Sequence, residues 1–189
     1  MIHELIIIIV LSLIIVALRK RKISNLVDVE IKGLPLFAFS FLLQFMSGIA
    51  VKNFSDTTFG HYVYIFFPYI HSLSYQLVLI GIMLNFEKNY MKVFFIGTMM
   101  NFIVIMANGM KMPVRIPPEY PFSWENYSYL VYGKDLIHTA LTKDTRLKFL
   151  ADIIILKEPY PFTKTISIGD IFLLLGFGWF IQEETKKSP

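Results

Sequence analysis

The 189-residue chain has no cysteine, and only 17% of its residues are charged. The missing thiols exclude disulfides, thiolate metal sites and a cysteine nucleophile. The scarcity of charge excludes most soluble enzymes, which carry roughly a quarter charged residues. Histidine is also sparse. His3, His61, His71 and His138 show no paired spacing of the H-E-x-x-H kind, so neither metal nor cofactor is implied. What is abundant is apolar: 55% of residues, including 18 Phe and 10 Tyr, with a mean hydropathy of +0.57. These residues fall in blocks, which excludes a disordered chain or a coiled coil. A net charge of +4 and a pI near 9.2 do not require nucleic acid, because membrane proteins gather Lys and Arg on their cytoplasmic side.

A transmembrane helix needs about 20 mostly apolar residues. Five runs qualify or nearly do: about Ile2–Leu18, Leu34–Val51, Tyr62–Phe86, Met91–Ala107 and Ile168–Ile181. The fold class expected is an all-α integral membrane protein, one membrane domain over residues 1–189. Arg19, Lys20, Arg21 and Lys22 follow the first run instead of preceding it, so it reads as an uncleaved span and not a signal peptide. With the N-terminus outside, nine Lys and Arg residues near the spans are cytoplasmic and five are external. This favours N-out and C-in in a bacterial cytoplasmic membrane.

Between the last two spans lies a segment of about 60 residues, Asn108–Ser167, rich in Pro and aromatics. It reads as an external segment lying along the membrane face. Trp124 and the copies Glu119-Tyr120-Pro121-Phe122 and Pro159-Tyr160-Pro161-Phe162 suit the headgroup level. Its punctuation argues for loops and short helices, not a sheet. Leu136–Leu150 has helical character, interrupted at Thr142, Lys143 and Asp144, with Asp135 placed to cap it.

Polar residues recur on helical faces within the spans: Ser40, Gln44, Ser47 and Gly48; His71, Ser72, Tyr75 and Gln76; Asn101 and Asn108. Interhelical hydrogen bonding and small-residue packing explain them first. The sharper alternative is a polar cavity with His71 as a proton carrier.

Two aspartates stand out. Asp170, in Ser167-x-x-Asp170, reads as a helix cap whose acid also suits the helix dipole. Asp152 lies inside the apolar run Leu150–Ile155, where capping explains nothing. Two carboxyls sharing a site split their pKa values, leaving one acid and one base for a water, as in an aspartic peptidase. That chemistry needs oxygens within roughly 3–6 Å of one another.

The C-terminal half resembles a family of small bacterial membrane proteins classed as a domain of unknown function. The family's signature is Asn-Gly-Gly-Arg-Met-Pro-Val, then His, Thr-x-Leu, Leu-Gly-Asp and Ser-Ile-Gly-Asp. It is matched here by 108–114, His138, Thr145-Arg146-Leu147, Leu150-Ala151-Asp152 and Ser167-Ile168-Gly169-Asp170. Met110 and Lys111 stand where that pattern has Gly and Arg. Asn108, Lys111, Arg115 and His138 are the candidate binding residues beside the aspartates. More distantly, Asp152 and Asp170 are similar in placement to the catalytic pair of the lipoprotein signal peptidase, a membrane aspartic protease. That enzyme's Gly-Asn-x-x-Asp-Arg motif is absent.

The leading expectation is a hydrolase with Asp152 and Asp170 as catalytic residues, acting on a peptide or lipid-linked substrate at the outer interface of the bilayer. The runner-up is a non-catalytic membrane scaffold or partner subunit; a transporter comes third.

Overall fold

The structure is a computed structural model that describes residues 2–116, 129–157, 160 and 164–186. Trp124 and most of the two Tyr-Pro-Phe copies lie outside the described residues. Five long helices form: α1 (Ile2–Leu18), α2 (Leu34–Asn53), α3 (Thr58–Met83), α4 (Asn89–Ala107) and α5 (Ile168–Glu184). Local chemistry sets their ends. Gly33 takes the left-handed φ of +69° ahead of Pro35, which occupies the first turn of α2. Thr57 caps α3 by accepting from the Gly60 N–H at 3.1 Å.

α2, α3 and α4 are long and apolar enough to cross a membrane. α1 and α5, each 17 residues, are shorter apolar helices. Large apolar side chains cover the outside: Phe41 is 66% exposed, Phe66 54% and Leu175 57%. Soluble monomers rarely expose an apolar surface of that extent, and hydrocarbon surroundings remove its cost.

The helices pack in the spatial order α2, α3, α4, α5, α1. α2 and α3 are joined by a reciprocal serine pair, Ser40 Oγ to Ser74 O at 2.9 Å and Ser74 Oγ to Ser40 O at 3.3 Å. α4 and α5 cross backbone to backbone: a Cβ on Gly97 would lie 2.6 Å from Gly169 O. At Gly48, by contrast, an added Cβ would meet nothing within 4 Å among the described residues. The stripes therefore act partly as helix glue, but not at every residue.

The bundle has two chemically different ends. At the basic end, Arg21 Nη1 donates to Gln182 O at 2.9 Å and Lys32 pairs with Glu87 at 2.8 Å. The opposite end carries four short strands: β1 (Met112–Val114), β2 (His138–Ala140), β3 (Ile154–Leu156) and β4 (Lys164–Ile166). β1 pairs in parallel with β2, β3 pairs antiparallel with β4, and a bridge from Val114 to Asp152 links the two ribbons. Val104, Ile105, Met112, Leu150 and Ala151 form the core that seats these strands on α4.

Two sequence expectations fail here. The segment contains small sheets, and Leu136–Leu150 is a strand, a turn and a short 3-10 helix at Lys148–Leu150. The cause is local. Asp135 Oδ1 accepts from the N–H groups of Ile137 and His138, at 2.8 and 2.6 Å, and sends the chain into β2 instead of a helix. Thr145 Oγ1 then accepts from Thr142 N, and Leu147 takes a left-handed φ of 52°.

Candidate active site at the strand end

Asp170 sits in the first turn of α5 within a complete capping box. Its N–H donates to Ser167 Oγ at 2.9 Å, and Ser167 N–H returns a bond to Asp170 Oδ2 at 3.2 Å. The Ser167 hydroxyl donates to Asn101 Oδ1 at 2.8 Å, which turns the Asn101 amide NH2 toward Asp170 Oδ1, 2.9 Å away. Gly169 makes this loop possible, because a Cβ there would collide with the Asn101 side chain and lie 2.8 Å from Gly97 O. Asp170 is thus an acceptor on both oxygens, held from α4 as well as α5.

Asp152 is held differently. Its backbone is bonded on both sides to the β1 region: its N–H donates to Pro113 O at 3.0 Å, and its C=O accepts from Arg115 N at 2.8 Å. Its side chain is only 8% exposed, and Oδ1 has no hydrogen-bond partner among the described residues. Burial, reinforced by the charge of Asp170, pushes the Asp152 carboxyl up from 3.8 to about 7, against the pull of His138 and Lys164.

Both aspartates line one cavity of about 610 Å³, together with Asn101, Arg115, His138 and Tyr75. Four of the residues expected from sequence, Asp152, Asp170, Arg115 and His138, therefore come together. The other two do not line it. Asn108 ends α4, donating to Val104 O and Arg146 O at 2.8 and 2.9 Å and accepting from Arg146 N at 2.9 Å. Lys111 Nζ donates to Gly133 O at 2.6 Å and Asp135 O at 2.5 Å. Two carbonyls need donors from one point, so an ammonium serves there without a bidentate Arg. Met110 holds a φ of 63°, a left-handed conformation that glycine adopts without the cost a Cβ brings.

His138 Nδ1 lies 3.3 Å from Asp135 Oδ1. Burial opposes charge on both groups, yet the hydrogen bonds from His138 and Ile137 hold Asp135 down at about 2. Burial also pushes the His138 imidazole down. The Asp135 bond and charge, with Asp152 and Asp170 adding to them, outweigh it and leave His138 raised. The cavity therefore brings the Asp152 carboxyl, held near 7, together with the Asp170 carboxyl and a His138 imidazole that is raised from its ordinary value.

Sequence reasoning missed three contributors. Asn101, expected as helix glue or as part of a polar cavity, lines the cavity and positions Asp170. Asp135 was read as a helix cap, yet it orients His138. Glu4, the one acid in the first apolar run, accepts from Tyr160 OH at 2.5 Å and Lys164 Nζ at 2.6 Å, tying α1 to the cavity wall. A carboxylate in an apolar run was the available signal for Glu4. Asn101 stands out locally as a polar residue in an apolar run, but nothing local ties it to Asp170.

Residues 28–182 match the family of unknown function DUF5317. The chain belongs to this family. An uncharacterized protein of Thermotoga maritima is 28% identical over 155 residues, covering 82% of this chain and 76% of that protein. No solved structure matches. The DUF5317 match spans α2 to α5 and every residue of the aspartate cavity described above.

Proposed function

We propose that this DUF5317 protein is a membrane hydrolase in which Asp152 and Asp170 work as an acid–base pair. The observation that carries the reading is a buried carboxyl with one oxygen that has no partner among the described residues, in the same cavity as a second, fully oriented carboxylate. Asp170 takes a proton from water as the hydroxyl adds to the substrate carbonyl. Asp152 gives its proton to the carbonyl oxygen. Collapse of the tetrahedral gem-diol breaks the bond to the leaving group, which departs with the proton held by Asp170, while one gem-diol hydroxyl returns its proton to Asp152 as the new carbonyl forms. Asn101 and Ser167 hold the base in place, and Arg115 at the cavity offers a cation to an anionic substrate.

The topology that goes with this reading is five spans, N-terminus out and C-terminus in, in the bacterial cytoplasmic membrane. The strand end and its aspartates would then face outward. The gathering of Arg19, Arg21, Lys32 and Lys88 at the other end supports it. α1 and α5 pack alongside the longer helices, which favours their crossing too. A cysteine introduced at Ser188 of this Cys-free chain should resist a membrane-impermeant thiol reagent in intact cells. Labelling there would reverse the orientation.

The chemistry is tested with an epoxide reagent, which esterifies a carboxylate held beside a carboxylic acid. Adduct formation on Asp170 or Asp152 should be lost in Asp152→Asn and in Asp170→Asn, while both variants still fold and melt cooperatively. Equal labelling in the wild type and both variants would remove the pair. A scaffold is the second reading, favoured by the capping box, which explains Asp170 without any reaction.

A further inference from the structure

A second cavity, about 840 Å³, opens beside the first and runs down the bundle between α2, α3, α4 and α5. Its walls are largely hydrocarbon and aromatic, with Phe37, Val78, Phe94, Phe177 and Phe180 among them. Its serines ask nothing of a ligand, since Ser40 and Ser74 already bond each other's carbonyls. Its volume falls in the roughly 300–1,000 Å³ range of small-molecule pockets. The two cavities share Tyr75, Ile137, His138 and Leu173 as a common wall. A polar chamber with two aspartates and a cation thus adjoins an apolar one of chain-holding size. Arg115, exposed at the polar chamber, has no side-chain hydrogen bond or ion pair among the described residues.

This division matches an amphiphile. We infer that the apolar cavity takes the hydrocarbon chain of a lipid-linked substrate, whose anionic polar end lies by Arg115 with its scissile bond at the aspartates. The inference rests on the hydrolase reading and deepens it, choosing a lipid-linked substrate over an unmodified peptide. The surroundings supply the occupant: helices with exposed Phe41, Phe66 and Leu175 place the cavity among lipid chains. His71 adds one polar point, since it lines the cavity, is 2% exposed, and neither ring nitrogen has a partner among the described residues. A chain bearing a hydroxyl or carbonyl partway along would meet it there.

The test uses the full chain in vesicles containing phosphatidylglycerol whose palmitoyl chain carries a mid-chain diazirine. After irradiation, mass spectrometry maps the adducts. Bilayer lipid reaches exposed residues such as Phe41 and Leu175 in any case. Only a chain inside the cavity reaches His71, Ser74 and Thr98, which are 2%, 2% and 5% exposed. Adducts are expected in both sets. Thr98→Trp, which fills the cavity, should lose the buried set and keep the exposed set. Val78→Trp serves the same purpose if the first variant does not insert. Adducts confined to exposed residues in the wild type, or buried adducts unchanged by a plug, would overturn the proposal. Asp152→Asn should keep the buried adducts. A failed hydrolase would leave those adducts intact without turnover, whereas a failed chain site would leave the aspartates reactive toward the epoxide with no buried adducts.

Discussion

The two ends of the bundle differ in how they treat one buried carboxyl: Glu184 is paired at the basic end and Asp152 is not at the strand end, where Asp170 and Glu4 are both bonded. At the basic end, Glu184 is 2% exposed, and its Oε1 accepts from Tyr90 OH at 2.6 Å with Lys88 Nζ 3.7 Å away. Asn85, fully buried there, accepts from Lys32 N and donates to Lys32 O and Gly81 O, all at 2.8 Å. At the strand end, Asp152 is nearly as buried, yet Oδ1 has no partner among the described residues. Paired polar groups hold helices in register. A group left unpaired costs stability, and such costs gather where chemistry is done.

The sign of a mutation is the sharpest way to break this comparison. Removing the Asp152 charge should stabilise the fold, and the effect must depend on pH. Below about pH 4 the carboxyl is neutral in both folded and unfolded chains. Between about 4 and 7 the unfolded chain loses a proton that the folded one keeps, so stability falls as pH rises, and it is level above 7. The full penalty for a shift from 3.8 to about 7 is at most about 4 kcal/mol. Asn keeps part of the desolvation cost, so Asp152→Asn should gain about 1–3 kcal/mol at pH 8 and almost nothing at pH 4. Thermal melting in micelles at the two pH values measures it.

The matching change at the basic end should go the other way. Tyr90→Phe removes a hydrogen bond to the buried Glu184 carboxylate and should cost about 1.5–3 kcal/mol. If both variants shifted melting in the same direction, the contrast between the ends would be gone.

A smaller gain is expected at Met110. A residue with a Cβ at φ 63° carries a penalty of about 1–2 kcal/mol that glycine avoids, partly returned as unfolded-state entropy. Because the Met110 side chain also packs against the core around Val104 and Ile105, the gain is read against Met110→Ala: Met110→Gly should be the more stable of the two by about 1 kcal/mol in the same melts.

The smallest effect belongs to His138 and Asp135, whose side chains are 42% and 36% exposed. Their pair is present above the acid range of Asp135 and is lost as pH rises through the raised value of His138. Solvent screening limits it to about 1 kcal/mol or less. His138→Gln should lower the melting temperature slightly at pH 6 and hardly at pH 9.

The helices were legible because a span must be an unbroken apolar run, and 2–18, 34–51 and 91–107 fall within two residues of α1, α2 and α4. The third was displaced toward the C-terminus, since Thr57-Thr58 starts α3 earlier than the apolar count suggested. The strands were not legible. They are three residues each, too short for alternation, and are fixed by side-chain contacts such as Asp135 to its own backbone. The aspartates could be picked out because an acid in an apolar run is anomalous by itself. The link from Asn101 to Asp170 could not, because it depends on the Gly97–Gly169 crossing that brings α4 against α5.

The central claim is that Asp152 and Asp170 form one site. Side-chain carboxyl carbon-13 labelling of aspartate, followed by NMR titration in micelles, tests it most directly. A shared site puts the Asp152 midpoint near pH 7 and lowers it in Asp170→Asn, where the cap survives but the neighbouring charge is gone. An Asp152 midpoint near the ordinary 3.8, unchanged by Asp170→Asn, would contradict it.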